Sequence, residues 1–156
     1  MEIERKFLIH SFPEFPVVEE NLIQQYFLSV DPYVRIRSKV SGERTSYKLC
    51  IKGSGSLSRE EVEFPIDEDS FRRLTAICGL EPVVKIQKIY DLDGLTLECN
   101  LVDAGTDNGF MYAEIEFETD SEAESFVPPP FLSREVTYDE SYKMNRYWEK
   151  TRLKKS

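Results

Sequence analysis

Nearly every extended stretch of this chain alternates with period two, and the polar face of the alternation carries ionisable groups of both signs. Period two sends successive side chains to opposite sides of a strand. Across Met1 to Ile9, Glu2, Glu4 and Lys6 share one face and Ile3 and Phe7 the other, with Arg5 breaking the pattern. Tyr33 to Val40 sets Arg35, Arg37 and Lys39 against Val34 and Ile36. Residues 44–52 set Lys48, Cys50 and Lys52 against Leu49 and Ile51, and Arg59, Glu61 and Glu63 alternate with Val62 and Phe64. Lys85, Glu98, Glu114 and Glu116 continue the charged face later in the chain. An open antiparallel sheet with one charged face is an ordinary solvated surface. Here both signs recur on the same strands, and helical segments are available to cover the apolar face. A closed sheet with a charged lumen accounts for both observations.

The remaining punctuation fits that reading. Strands are expected at 22–28, 33–40, 44–52, 59–64, 83–91, 95–102 and 110–118 after the first, with turns at Asp31-Pro32, Ser41-Gly42 and Asp93-Gly94. Residues 11–21, with two prolines, read as a loop. Phe71, Leu74, Ile77 and Cys78 recur at helical spacing, which predicts a helix over 67–78 capped by Asp67 or Asp69 and ended by Gly79. A short helix is expected at 120–127, a stiff connector at Pro128-Pro129-Pro130, and a last helix at 139–150 with Tyr142, Tyr147 and Trp148 for packing. Gly53-Ser54-Gly55-Ser56 is a turn and not a P-loop, because the Gly-Lys-Ser/Thr ending and the following helix are missing. The predicted architecture is mainly β: a closed eight-stranded antiparallel barrel with a few flanking helices, spanning 1–156 as one domain.

Composition excludes several function classes. The net charge of −9 opposes nonspecific nucleic-acid binding, which needs a basic surface. Cys50, Cys78 and Cys99 form no C-x-x-C pair, which fits a reducing cytoplasm and argues against zinc or cysteine catalysis. His10, the single histidine, sits in a polar, loop-like context and reads as a surface residue. No apolar run approaches the ~20 residues of a membrane helix, and the charged opening does not resemble a signal peptide.

A lumen of mixed charge needs ligands, because buried charges are costly unless paired or metal-bound. Carboxylates at i and i+2 on one strand face can share a hard cation such as Mg²⁺ or Mn²⁺. Arginine and lysine on facing strands can hold phosphate oxygens. Together they suit a polyphosphate flanked by metal ions.

At this level of detail the residues match a known family. Glu2-Ile3-Glu4-Arg5-Lys6 resembles the Glu-x-Glu-x-Lys signature of the CYTH domain, also called the triphosphate tunnel metalloenzymes. Arg35-Ile36-Arg37 is similar to its Arg-x-Arg strand, and Leu49-Cys50-Ile51-Lys52-Gly53 to the strand that follows. Arg59-Glu60-Glu61-Val62-Glu63 resembles Arg-x-Glu-x-Glu, Lys85 the start of Lys-x-Arg, and Ala113-Glu114-Ile115-Glu116 the late Glu-x-Glu strand. Glu135-Val136-Thr137 with Asp139, Tyr142, Lys143 and Asn145 is similar to the closing segment. The resemblance implies an eight-stranded tunnel and metal-dependent chemistry on triphosphates. It further implies metal ligands at Glu2, Glu4 and Glu116, with Glu61, Glu63 and Glu114 close by. Lys6, Arg35, Arg37, Lys52, Arg59 and Lys85 would contact phosphates, and Lys143 would reach in from the start of the last helix. Glu2, Glu4, Lys6, Arg37 and Glu116 would carry catalysis.

Two positions depart from the pattern. Lys-x-Arg is here Lys85-Ile86-Gln87, and Glu-x-Asp is Glu98-Cys99-Asn100. If Gln87 and Asn100 face each other, the pair is a correlated loss of one ion pair. Lys88 points the other way and does not substitute. The expected function is release of orthophosphate from inorganic triphosphate by metal-activated water. The alternatives are a nucleoside or thiamine triphosphatase, a class IV adenylate cyclase using an aromatic platform such as Tyr26, Tyr33 or Tyr47, and a noncatalytic polyphosphate-binding module. Partly uncovered barrel walls make a homodimer reasonable.

Overall fold

The computed structural model describes residues 1–154, so the last two residues of the expected domain lie outside it. Nine strands form one antiparallel sheet in the order β5-β1-β9-β8-β7-β2-β3-β4-β6. They are β1 (Glu2–Leu8), β2 (Glu19–Ser29), β3 (Tyr33–Ser41), β4 (Arg44–Lys52), β5 (Ser58–Arg59), β6 (Glu61–Pro65), β7 (Val83–Leu92), β8 (Leu95–Val102) and β9 (Phe110–Glu116). The extra strand relative to the predicted eight arises because the stretch around 59–64 divides at Glu60. Its first part pairs with β1 (Glu2 opposite Arg59) and its second with β4 (Lys52 opposite Glu61). This divided strand bridges the two ends of the sheet and nearly closes the barrel.

Three helices follow: α1 (Glu68–Cys78), α2 (Asp120–Ser125) and α3 (Met144–Trp148). Asp67 caps α1 by accepting from the Ser70 amide, and Gly79 ends it with a left-handed φ of 69°. The wall formed by β1, β9, β8 and β7 turns Phe7, Leu97, Cys99, Ala113 and Ile115 outward, and the segment from Ala123 to Leu132 covers them. Arg5, which broke the alternation, belongs to this exterior. Its guanidinium donates to the Glu135 carboxylate at 2.8 and 2.7 Å and to the Ala123 and Phe126 carbonyls, pinning the covering segment to β1.

Three boundaries differ from expectation. β2 begins at Glu19 rather than Leu22, because Glu19 and Asn21 find ladder partners in Ile89 and Gln87 of β7. β9 stops at Glu116, two residues early. The expected helix over 139–150 is three pieces: a 3₁₀ turn at Glu140–Tyr142, α3, and a π-helical turn at Glu149–Leu153. Tertiary anchors override propensity there. Asn145 donates to the Val30 carbonyl, Tyr147 to Asp103, and Trp148 packs on Phe27 with centroids 5.8 Å apart. α3 thereby plugs one end of the barrel with Tyr147 and Trp148 in a core with Phe27, Val83 and Val102.

Candidate active site

The closed sheet turns the charged face inward, and the lumen divides into two chambers that share a waist. One is basic: Lys6, Arg35, Lys52, Arg59, Lys85 and Lys143 line it. The other is acidic: Glu2, Glu4, Glu61, Glu63, Glu98, Glu114 and Glu116 line it, with Arg37 and Gln87. Glu4, Arg35, Lys52, Lys85, Tyr112 and Glu114 border both. The cavities are small, about 50 Å³ on the basic side and about 120 Å³ on the acidic side. Every residue expected to bind metal or phosphate therefore lies in one connected space.

Register explains the gathering. Glu4 sits opposite Glu116, Lys6 opposite Glu114, and Glu114 opposite Glu98, so carboxylates from β1, β9 and β8 meet across neighbouring strands. On the far wall Arg35 and Arg37 of β3 approach Glu63 at 3.7 and 3.6 Å, and Lys48 reaches the same carboxylate at 3.3 Å. Lys52 contacts Glu2 at 3.0 Å and Glu61 at 3.6 Å, and Arg59 contacts Glu2 at 3.3 Å. Cys50 Sγ and the Glu61 and Glu63 carboxylates all lie within 4.8 Å of one another.

The acidic chamber holds more negative charge than its neighbours neutralise. Burial, then the adjacent Glu114, raises the Glu4 carboxyl well above the ordinary range. Burial, then Glu114 and Glu116, raises Glu98 to about 7. Burial and Glu114 also raise Glu116, and burial and Glu2 raise Glu61. Glu114 goes the other way, to about 2: burial opposes the shift, but a hydrogen bond with Glu4 and the nearby Lys6 and Lys85 outweigh it. Repelling carboxylates offering hard oxygen donors are the arrangement that a small divalent cation relieves. A hard divalent cation fits this donor set.

The basic chamber is closed on its outer side by the C-terminal segment. Lys6 Nζ donates to the Tyr142 carbonyl at 2.6 Å, and Lys143 Nζ to the Gly55 carbonyl at 2.7 Å. Gly55 holds that carbonyl in place with a φ of 129°, and a Cβ there would collide with the Ser58 carbonyl. Gln87 and Asn100 do face each other. They are register partners, Gln87 Nε2 donates to Asn100 Oδ1 at 3.2 Å, and Asn21 Nδ2 donates to Gln87 Oε1 at 2.9 Å. The amide pair is tied up in the wall.

Some residues fall elsewhere. Tyr26 and Tyr47, suggested as aromatic platforms, pack on Phe71 of α1 outside the barrel. Lys88 lies over the Phe12 ring, on the exterior face as expected. Tyr33, the third suggested platform, does line the basic chamber, and Tyr112 and Glu98 line the chambers without having been picked as site residues. Glu98 shared the parity of the charged face, a signal that was present. Tyr112 lies two residues before Glu114 on the same face, but an aromatic residue in a strand looks like core.

Comparison with known proteins agrees with this geometry. The chain is 36% identical over 143 residues to an inorganic triphosphatase of Nitrosomonas europaea, covering 91% of this chain and 93% of that protein. The crystal structure of the inorganic triphosphatase NE1496 superposes with a TM-score of 0.64 at 29% identity, covering 94% of this chain and 93% of that one. The PH1819 protein of Pyrococcus horikoshii shares the fold, with a TM-score of 0.58 at 21% identity over 80% of this chain and 82% of its own. The CYTH domain matches residues 1–142, and the chain belongs to the CYTH domain family.

Proposed function

We propose that the protein is a metal-dependent hydrolase that releases orthophosphate from inorganic triphosphate. The observation that carries this reading is the adjoining of a basic and an acidic chamber across one waist. The similarity to an inorganic triphosphatase supports it. Lys6, Arg35, Arg37, Lys52, Arg59 and Lys85 neutralise the phosphate chain and hold it for in-line displacement. Lys143 completes the basic mouth. Glu2, Glu4, Glu61, Glu63, Glu114 and Glu116 are the carboxylates that would hold Mg²⁺ or Mn²⁺, with Glu98 beside them. When bound, such an ion polarises the phosphoryl group and makes a bound water a better nucleophile. The segment around Tyr142 and Lys143 keeps bulk water from the basic chamber, which strengthens each charge contact inside it.

A nucleotide or thiamine substrate needs an aromatic platform; Tyr26 and Tyr47 are committed to α1, and Tyr33, which lines the basic chamber, is surrounded by Arg35, Lys52 and Arg59. A noncatalytic binding module would use the same basic chamber without turnover. Ile51, Val62 and Phe64 remain 39%, 56% and 44% exposed on the outer wall, which supports a homodimer built on that face. The three free cysteines suit a cytoplasmic setting. The direct test is orthophosphate release from tripolyphosphate and from ATP, side by side, with Mg²⁺, Mn²⁺ or EDTA. Metal-dependent release from tripolyphosphate is expected. Release mainly from ATP would move the assignment to a nucleotidase, and pyrophosphate with cyclic AMP to a cyclase.

A further inference from the structure

Five cations of the tunnel surround two tyrosine side chains. Arg35, Lys52 and Arg59 lie 5.7, 5.5 and 5.1 Å from the centroid of Tyr33. Lys6 and Lys85 lie 4.2 and 5.2 Å from the centroid of Tyr112. Both tyrosines are buried, at 5% and 0% exposure. Each hydroxyl also accepts from one of its own cations: Arg35 Nη1 donates to Tyr33 Oη at 3.0 Å, and Lys85 Nζ donates to Tyr112 Oη at 2.6 Å.

This arrangement solves a specific problem. Cations gathered in a lumen repel one another: burial, opposed by Glu114 and aided by Arg35, Lys6 and Arg37, pulls the Lys85 ammonium well below its usual range. A carboxylate at each cation would remove the repulsion but would also cancel the charge meant for phosphate. A π-face attracts a cation without neutralising it. The hydroxyls add a second feature. Among the described residues, both act as acceptors, and neither proton is donated to a protein group. A hydroxyl that accepts from a cation is polarised toward donating onward. Tyr33 lines the basic chamber and Tyr112 lines both, so the two protons face the same channel at different depths.

We propose that Tyr33 and Tyr112 are substrate-binding residues, whose rings and hydroxyl oxygens together hold the five cations in place and whose hydroxyl protons are donated to nonbridging oxygens of the triphosphate. The proposal rests on the triphosphatase reading and names two contacts within it. Lys6 and Lys85, which form no ion pair among the described residues, Arg35, Lys52 and Arg59, which share Glu2, Glu61 and Glu63, and the two uncommitted donors then act as one recognition surface for a polyanion.

The test replaces hydroxyls and keeps rings. Tripolyphosphate binding in EDTA is titrated by calorimetry, and KM and kcat are measured with Mg²⁺, for wild type, Tyr33→Phe, Tyr112→Phe, Lys85→Met and Lys85→Met/Tyr112→Phe. Each Phe variant is expected to bind about ten- to a hundredfold more weakly, the loss of one hydrogen bond to a charged group. KM should rise in parallel while kcat changes less. The double variant covers the case in which Tyr112→Phe strands the buried Lys85 ammonium and unfolds the chain, because it removes that ammonium as well. It is expected to bind about tenfold more weakly than Lys85→Met alone. Equal binding by the double variant and Lys85→Met would mean that the hydroxyl acts only through Lys85, and would overturn the substrate contact at Tyr112. Unchanged binding by Tyr33→Phe would overturn the contact at Tyr33. Wild-type binding without turnover, together with weakened Phe variants, would remove the hydrolase reading and leave the tyrosine contacts standing.

Discussion

The two chambers of the tunnel are made by the same strands, yet they manage charge in opposite ways. In the basic chamber, cations meet tyrosine side chains and backbone carbonyls as well as carboxylates: Glu2 reaches Lys52 and Arg59, Glu61 reaches Lys52, Glu63 reaches Arg35 and Glu140 reaches Lys143. In the acidic chamber, Glu4, Glu98, Glu114 and Glu116 meet one another directly across β1, β8 and β9. The cost appears as carboxyls raised by burial and by their neighbours. Each chamber is electrostatically incomplete, and each is completed by the other's kind of charge. A triphosphate with its metal supplies both at once. β1 shows how one strand serves both chambers: Glu2 and Glu4 point to the acidic side and Lys6 to the basic side, on one face.

The largest expected effect comes from damaging the acidic chamber alone. Glu4→Gln or Glu116→Gln should lower metal-dependent turnover roughly a thousandfold or more, while binding of tripolyphosphate in EDTA survives. Retained turnover would remove those carboxylates from the metal site. Next is the far wall. Arg37→Ala should raise KM for tripolyphosphate about ten- to a hundredfold with a smaller change in kcat; steady-state kinetics that leave both constants unchanged would place Arg37 outside the phosphate contacts.

A third test uses pH. Glu98 titrates near 7 in the folded protein against an ordinary 4.5, so between those values the native state binds more protons than the unfolded state. Stability of the metal-free protein should therefore fall as pH rises from about 4.5 to 7, by no more than about 3 kcal/mol from this group. Chemical denaturation across that window should show the fall, and Glu98→Gln should flatten it. An unaltered slope in the variant would assign the effect to other groups. The smallest expected change is at Gln87. Removing its amide in Gln87→Ala leaves Asn21 and Asn100 short of partners and should cost about 1–3 kcal/mol in stability, read by thermal melting, with KM moving less than tenfold. A larger change in KM would make Gln87 part of substrate recognition.

The alternation of charge was legible because strand geometry leaves alternate residues no choice of face. Once the sheet closes, Glu2, Glu4, Lys6, Arg35, Arg37, Lys52, Glu61, Glu63, Lys85, Glu114 and Glu116 must converge, and they do. What escaped the sequence depended on partners distant in the chain. Glu19 and Asn21 extend β2 because β7 is there to pair with them. The last helix breaks into pieces because Tyr147, Asn145 and Trp148 are each tied to a different part of the barrel end. Tyr112 escaped, and Tyr33 could not be told from Tyr26 and Tyr47, because an aromatic residue in a strand signals packing. Only the position of the cations around the rings distinguishes Tyr33 and Tyr112 from Tyr26 and Tyr47 on the outer wall.

The separation of roles between the chambers is tested most directly by calorimetric titration of tripolyphosphate into wild type and Glu4→Gln, first in EDTA and then with Mg²⁺. The account predicts similar affinity for both proteins in EDTA, and a strengthening by Mg²⁺ in wild type that Glu4→Gln largely loses. Loss of EDTA binding in Glu4→Gln, or an undiminished response to Mg²⁺, would contradict the assignment of phosphate to the basic chamber and metal to the acidic one.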